Sequence, residues 1–228
     1  MRVEFKDLQL KQPGASGASA RSEAATGLSW IPLFDGRTLS GWTATTRFPK
    51  DTADWSVGAD GTITGTGPVS HLFSPGSYTN FEFKAEARIN AGGNSGMYFR
   101  ADRAGVRPNG YPAGYEAQIG NTVGDPQKTG SLYGFNKFPN QLVADDTWFT
   151  QHIIAIGNRI VIKVNNRITT DFVDDKHMYR SGRLALQQNN PNKPTVAVQF
   201  RNVMVKPLPA DESAAWTEAR KDMTDLAR

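Results

Sequence analysis

The chain has 228 residues with a hydrophobic content of 38%, which is enough for one domain with a sizeable core. It contains no cysteine, so disulfides, thiolate zinc sites and a cysteine nucleophile are excluded. The net charge is +4, and the basic residues are interspersed with acids, which gives no electrostatic footprint for nucleic acid or an anionic membrane. No run of about 18 apolar residues occurs, so we predict no membrane span, and no signal peptide is visible.

The first 27 residues predict a strand followed by a linker. Residues 3–11 alternate like a strand and match residues 198–206 in residue class, position by position. Two explanations are open: two outer strands of one sandwich converged on the same pattern, or residues 3–11 close a preceding, similar domain of a tandem array. Residues 12–27 are rich in Gly, Ala and Ser without an apolar period, which is typical of a flexible linker and favours a domain boundary near Leu28.

The region from residue 28 to residue 208 contains many short alternating segments separated by Gly and Asn turns. Asp35-Gly36 follows an aromatic segment, and Gly157-Asn158 joins two strongly apolar segments as a hairpin signal. This spacing predicts an all-β sandwich of two antiparallel sheets.

Residues 209–228 predict a short C-terminal helix. Asp211 is placed to cap it. Its apolar residues recur at helical spacing and are expected to pack on the domain or on a neighbour. These residues are Trp216, Ala219, Met223 and Leu226.

Residues 81–121 carry most of the candidate chemistry, on two predicted strands joined by a glycine-rich turn. Along residues 115–121 the apolar side chains are predicted to point inward, with Glu116 and Gln118 together on the opposite face. If that face lines a groove, we expect Arg100, Glu116 and Gln118 to line it together.

Two loops belong to the same region of the chain. Residues 102–114 form a long polar loop with several Pro and Gly residues, and loops of this length in compact domains are often functional. Residues 128–134 follow a second loop and are expected to fold over the same end of the domain.

A series of motifs follows in order along residues 28–208. They are Leu33–Gly36 with Gly41-Trp42, Trp55 with Asp60-Gly61 and Gly65–Gly67, Phe81–Phe83, Gly92–Arg100, Tyr115–Ile119, Lys128–Gly134, Gly157–Arg159 and Phe200–Val203. This order resembles the 3-keto-disaccharide hydrolase domain family. The resemblance implies a concanavalin A-like jelly roll with a sugar or glycoside substrate on its concave sheet. It also implies an exported bacterial protein, periplasmic or extracellular, which often carries neighbouring domains.

One departure from the family stands out. After Leu186-Gln187 the family often has a His-Gly or similar polar pair, whereas this chain continues with residues 188–191, Gln-Asn-Asn-Pro. Any role of that histidine is therefore in doubt for this chain.

The acidic residues argue against an ordinary retaining hydrolase. Jelly-roll glucanases, which are distant relatives in fold, carry Glu-x-Asp-x-x-Glu and so supply the two carboxylates that retaining hydrolysis needs. Here the corresponding stretch is Glu116-x-Gln118-x-x-Asn121, in which only the first acid is kept. An amide serves neither as nucleophile nor as proton donor in that scheme.

Cleavage of the 3-keto sugar that the resemblance implies requires one base and not two carboxylates. Its ketone acidifies the hydrogen on C2, so one base can remove that proton, the substituent on C1 can leave, and water can add to the double bond. We therefore predict Glu116 as the catalytic base, with Arg100 or Lys128 stabilising the enolate. The substrate-binding candidates are Tyr98, Gln118, Asn121, Tyr133 and Gln187.

Other interpretations of these residues are open. Glu116 as a mere hydrogen-bond acceptor for a sugar, Arg100 as its structural ion partner and Tyr98 as plain packing are alternatives to the catalytic roles. The three histidines lack ligand spacing, so we predict no histidine metal site and no cofactor. The alternative function is a non-catalytic carbohydrate-binding or interaction module of a larger exported protein, and a third is an architectural domain.

Overall fold

The computed structural model describes residues 28–46, 54–106, 109–190, 193 and 195–223. Within these residues the chain forms thirteen strands and one helix. The strand and linker predicted for residues 1–27 lie outside the described residues. The part of the chain that the structure describes has no helix that is long and apolar enough to cross a membrane.

The strands form two antiparallel sheets. The larger has the order β11-β10-β9-β6-β13-β4-β3, with β1 paired to β13, and the smaller has the order β2-β5-β12-β7-β8. The strands are β1 Ile31–Pro32, β2 Thr43–Thr46, β3 Asp54–Val57, β4 Ile63–Thr66, β5 Ser70–Phe73, β6 Phe81–Ile89, β7 Ser95–Val106, β8 Pro112–Ile119, β9 Phe149–Ile156, β10 Arg159–Val164, β11 Arg167–Val173, β12 Arg183–Gln188 and β13 Val198–Pro207. The predicted all-β jelly-roll sandwich is confirmed.

The main core lies between the two sheets and follows the two-residue period of the strands. In β6, Phe81, Phe83 and alternate residues up to Ile89 are buried in it. Phe99 and Leu186 reach the same core from the smaller sheet. The predicted hairpin at Gly157-Asn158 joins β9 to β10, with Ile156 paired to Arg159.

The C-terminal helix, α1 Glu212–Lys221, covers part of the outer face of the larger sheet. Asp211 caps it as predicted, because its Oδ1 accepts a hydrogen bond from Ala214 N at 2.8 Å. Buried Ala215 and Ala219 pack with Ile154, Ile156 and Val161, and Trp216 and Met223 lie partly buried against the same cluster. The expected apolar stripe is therefore confirmed as a packing surface, and Leu226 lies outside the described residues.

A buried group of charges lies on this outer face, where alternation alone predicts solvent exposure. Glu82 is 0% exposed, with His152 Nε2 at 2.8 Å from one carboxylate oxygen and Lys206 Nζ at 2.6 Å from the other. Lys206 Nζ also lies 2.5 Å from Asp222, just beyond the helix. Burial lowers the pKa of His152, and the contact with Glu82 opposes this shift. The charges thus connect the C-terminal segment to three strands of the sheet.

Replacing Glu82 with Gln removes the fully buried carboxylate that contacts both Lys206 and His152, while Asp222 still pairs with Lys206. We therefore expect Glu82→Gln to lower the free energy of unfolding by about 1–3 kcal/mol. Urea unfolding measures the loss. The matched control is Asp171→Asn, which breaks the Arg159–Asp171 pair on the exposed surface of the same sheet and should cost less than about 1 kcal/mol. Equal losses in the two variants would contradict the assignment of Glu82 as the buried charge that holds this cluster.

Candidate functional site

A polar pocket of about 120 Å³ lies on the outer face of the smaller sheet. Side chains from β7, β8 and β12 form its floor, and loop residues complete its wall. The lining residues are Asn94, Tyr98, Asn109, Tyr111, Glu116, Gln118, Tyr133, Gln187 and Asn189. The pocket thus brings together the predicted base, Glu116, and four of the predicted substrate-binding residues, Tyr98, Gln118, Tyr133 and Gln187.

The position of Glu116 follows from the period of β8. Tyr115, Ala117 and Ile119 are buried in the core between the sheets, so Glu116 and Gln118 face the opposite side, as the sequence predicts. Glu116 is only 7% exposed even though it faces away from the core. Its environment is therefore set by its neighbours on the sheet surface and by the loops above it.

A glycine in the row of side chains across the sheet leaves the space that the side chain of Glu116 fills. Strand register places Gly96 between Gln187 on β12 and Gln118 on β8. A Cβ atom on Gly96 would lie 2.5 Å from Glu116 Oε1 and 2.8 Å from its Cγ. The sequence predicts Gly96 as part of a turn, but β7 begins at Ser95, so the glycine lies inside the strand and accommodates the carboxylate of Glu116.

Two neighbouring side chains hold the carboxylate of Glu116. The hydroxyl of Tyr98, its register partner on β7, donates to Oε2 at 2.8 Å. One terminal atom of the Gln118 amide lies 3.2 Å from Oε1 and the other 3.1 Å from Asn94 Oδ1. Because a carboxylate oxygen only accepts, we assign the atom beside Oε1 as the nitrogen, and the Asn94 amide then presents its own nitrogen to Gln118. The Tyr98 ring is itself buried, so it has no free face on which a sugar ring could stack.

The other side of the pocket is formed by Gln187 and by a histidine that the sequence prediction left out. His71 on β5 pairs in register with Gln187, and its Nε2 lies 3.3 Å from Gln187 Nε2. The imidazole packs edge-on against Tyr98, with ring centroids 4.7 Å apart. Burial lowers the pKa of His71 to about 3, so this histidine is neutral at ordinary pH.

Two loops, at residues 109–111 and 125–134, contribute to the wall of the pocket. The second contains residues 128–134, which the sequence predicts to fold over this region. Tyr133 N donates to Glu116 O at 2.9 Å, which fixes this loop to β8. The Tyr133 hydroxyl donates to Asp125 at 2.9 Å, and burial together with that carboxylate raises the pKa of Tyr133 to about 12. Tyr111 is a half-buried part of the pocket lining, with its ring centroid 6.0 Å from that of His71.

The expectation that Arg100 lines the same groove as Glu116 is wrong. A β-bulge between Phe99 and Asp102 shifts the register of β7, and Arg100 takes a left-handed φ of 46° there. Its guanidinium donates to the carbonyl oxygens of Thr79 at 2.7 Å, Gly157 at 2.7 Å and Tyr179 at 3.3 Å. Burial lowers the pKa of Arg100 to about 10, and its contacts hold the smaller sheet to the β9–β10 turn.

Lys128 and Asn121 also lie outside the pocket lining. Lys128 Nζ donates to the carbonyl oxygen of Val123 and so stabilises its own loop. Asn121 accepts from Thr129 Oγ1 at 2.7 Å and donates to Ala144 O at 3.3 Å. Because Asn121 follows the end of β8, strand alternation no longer determines where its side chain points.

Sequence reasoning missed four lining residues, Asn94, Asn109, Tyr111 and Asn189. Asn94 belongs to the glycine-rich turn, and Asn109 and Tyr111 lie between β7 and β8. The loop predicted over residues 102–114 is shorter in the structure, because residues 102–106 and 112–114 belong to these two strands. Asn189 lies in the segment that departs from the family pattern, and its backbone N donates to Asn94 O at 3.2 Å. The sequence marks these segments as turns and loops, but such segments have no periodic pattern that shows which residue faces a pocket.

Among the described residues, no three His, Asp or Glu side chains are grouped as metal ligands. The polar atoms of the pocket are one carboxylate, several amides and three phenols. Such a set suits hydroxyl groups, which both donate and accept hydrogen bonds.

The described residues form a jelly-roll sandwich with a polar pocket on the outer face of the smaller sheet, a fold that several glycan-related proteins of known structure share. Residues 29–206 match the family described as the 3-keto-alpha-glucoside-1,2-lyase-like domain. The chain therefore belongs to this family, as its order of motifs predicts. No curated protein matches the chain.

Several solved structures share the fold. A glycosyl hydrolase-like protein from Parabacteroides distasonis is 21% identical, with a TM-score of 0.65 over 79% of this chain and 94% of that one. The carbohydrate binding module CBM66 from Bacillus subtilis is 18% identical, with a TM-score of 0.56 over 73% and 95%. The Bacillus licheniformis β-glucanase is 12% identical, with a TM-score of 0.54 over 81% and 100%. At these identities the likeness concerns the fold.

We expect Gly96→Ala to displace Glu116 from its place on the sheet and to lower the free energy of unfolding by about 1–3 kcal/mol, because the added methyl group overlaps the carboxylate. Urea unfolding measures the stability, and a crystal structure of the variant shows the carboxylate. Gly124→Ala is the control, since a Cβ there meets no atom within 4 Å. An unmoved Glu116 in the Gly96 variant would contradict the role of this glycine.

The neutral state of His71 makes stability depend on pH. Its folded pKa of about 3 is below the unfolded value of 6.5, so the unfolded chain binds a proton first and stability falls as pH drops from about 6.5 toward 3. We expect His71→Gln to make the slope of unfolding free energy against pH shallower by up to about 1.4 kcal/mol per pH unit in this window. Urea unfolding at several pH values tests this, and parallel wild-type and variant curves would contradict it.

Proposed function

We propose that the protein cleaves 3-keto-glycosides in this pocket by elimination followed by hydration, with Glu116 as the base. The observation that carries the proposal is the composition of the lining, in which Glu116 is the single carboxylate among the described residues. Retaining hydrolysis needs a second carboxylate about 5–5.5 Å from the first. The neighbouring Gln118 is an amide. The nearby Asp125 accepts a hydrogen bond from the Tyr133 hydroxyl and does not line the pocket.

Elimination next to a ketone needs one base. Glu116 takes the proton from C2, which converts the C3 ketone into an enolate. The enolate re-forms the ketone as the C1–O bond breaks, and the leaving group departs as an alcohol after it gains a proton. Water then adds at C1 of the resulting enone and gives the free 3-keto sugar. Each step balances without an oxidant or a reductant.

The enolate needs hydrogen-bond donors, and the two predicted cations do not line the pocket. Arg100 donates to three backbone carbonyl groups on the other side of the sheet, and Lys128 donates within its loop. We assign the enolate-stabilising role to amide N–H groups of the lining, carried by Asn94, Asn109 and Asn189. Neutral amides in a sheltered pocket suit a charge that exists only during the reaction.

The sugar ring needs an apolar surface as well as polar contacts. Tyr98 is a predicted substrate-binding residue, but its ring is buried and its hydroxyl holds Glu116. Tyr111 is a half-buried part of the pocket lining, which suits stacking on a pyranose. A volume of about 120 Å³ is well below that of pockets for drug-sized ligands, so we place one sugar ring at the pocket and the aglycone outside it.

A second candidate function is a non-catalytic carbohydrate-binding module. It is favoured by the two donors, Tyr98 and Gln118, that already hold both oxygens of Glu116 and suit a fixed acceptor for a sugar hydroxyl. The jelly-roll fold serves this alternative equally well, since CBM66 shares it.

The cellular location of the protein and the presence of a neighbouring domain also remain predictions. An exported location is what the family resemblance implies. A preceding similar domain is one of the two explanations for the match between residues 3–11 and residues 198–206, and the other is that two outer strands of one sandwich converged on the same pattern.

We expect Glu116→Gln to lower the turnover of an aryl 3-keto-glucoside by about 10²–10⁴-fold, since an amide cannot accept the C2 proton. Release of the aryl alcohol, followed by absorbance, measures turnover, and calorimetry measures binding. Glu86→Gln is the control, because Glu86 pairs with Arg201 on the other sheet and should leave turnover unchanged.

Full turnover by Glu116→Gln would remove this base from the mechanism. Binding of the sugar by the wild-type chain without any product would instead establish the non-catalytic module.

A further inference from the structure

The carboxylate of Glu116 determines the direction of the hydrogen bonds around it. As the base of the proposed function Glu116 is ionised, and a carboxylate only accepts hydrogen bonds, so the Tyr98 hydroxyl, 2.8 Å from Oε2, donates to it. A hydroxyl has one hydrogen. The oxygen of Tyr98 can therefore only accept from its other neighbours.

The next neighbour of that oxygen is the amide of Gln187. Its Nε2 lies 3.5 Å from the Tyr98 oxygen and 3.3 Å from His71 Nε2. Because the Tyr98 oxygen can only accept, the atom of Gln187 that faces it is the nitrogen. His71 Nε2 must then be the unprotonated, accepting nitrogen of a neutral imidazole, in agreement with the deep burial of this ring.

With these donors and acceptors assigned, the amide oxygen of Gln187 has no hydrogen-bond partner. Gln187 Oε1 is buried and accepts no hydrogen bond, although Gln187 lines the pocket and is 1% exposed. Buried polar atoms in folded proteins nearly always have a partner, and the exceptions call for an explanation such as a ligand site. A ligand that donates a hydrogen bond to this oxygen supplies the missing partner.

We propose that Gln187 Oε1 accepts a hydrogen bond from one specific hydroxyl of the bound sugar, and that His71 is the positioning residue that holds the amide in this orientation. The inference deepens the proposed function and rests on it, because it assumes that the ligand of the pocket is a sugar. A ketone has no hydrogen to donate. The 3-keto oxygen is therefore turned away from Gln187, and the orientation of the ring in the pocket is restricted.

A series of ligands that lack single hydroxyls tests the proposal. The parent ligand is 1,5-anhydro-3-keto-glucitol, which has no leaving group on C1 and so is not cleaved, and its 2-deoxy, 4-deoxy and 6-deoxy analogues each lack one donor. We expect one analogue to bind the wild-type chain about 10-fold more weakly than the parent does, by calorimetry. In Gln187→Met and in His71→Phe, that difference should disappear. In His71→Gln, which keeps an acceptor near the position of Nε2, the difference should return.

Thermal unfolding of each variant shows that it is folded before binding is compared. The same discrimination among analogues in Gln187→Met as in the wild type would overturn this inference and leave the proposed function intact. Failure of the wild-type chain to bind the parent ligand would overturn both.

A second measurement needs no sugar. Nitrogen NMR of the His71 ring in the wild-type protein between pH 5 and pH 8 should show a neutral imidazole with its hydrogen on Nδ1. A hydrogen on Nε2 would reverse the direction of the Gln187 contact, and this result alone would overturn the inference even if the sugar binds.

Discussion

The burial of alternate residues of β7, β8 and β12 in one shared core is the constraint on which the site depends. Because Tyr115 and Ala117 are buried between the sheets, Glu116 must face outward, and register then places Tyr98 beside it. The same register places Gly96 between two glutamines, and the carboxylate of Glu116 occupies the space that a side chain there would take. The floor of the pocket is thus formed by the same strands that bury the core beneath it.

The charge of Glu116 organises the polar groups around it. As an acceptor it sets the direction of the Tyr98 hydrogen bond, and that direction determines how Gln187 and His71 face each other. The remaining polar groups of the lining are neutral amides and phenols. A site with one base and many neutral donors suits chemistry in which a single proton is removed, whereas double displacement needs two acids.

The buried charges away from the pocket contribute to the architecture. Arg100 donates to backbone carbonyl groups at the edge of the core and ties the smaller sheet to the β9–β10 turn. Glu82, Lys206 and Asp222 connect the larger sheet to the segment after α1. In both places several hydrogen bonds or opposite charges compensate the loss of solvation, which explains how these groups are tolerated at such depth.

Local sequence patterns predict the sandwich, the hairpin at Gly157-Asn158, the capped helix and the outward direction of Glu116 and Gln118, because each depends on a period or a turn within a few residues. The groups that contact Glu116 are set by the folded chain as a whole. A bulge that turns Arg100 away, the pairing of His71 with Gln187, and the loop positions of Tyr111 and Asn189 depend on contacts between distant parts of the chain. Local patterns do not record such contacts, since bulges and loops have no period that a sequence can show.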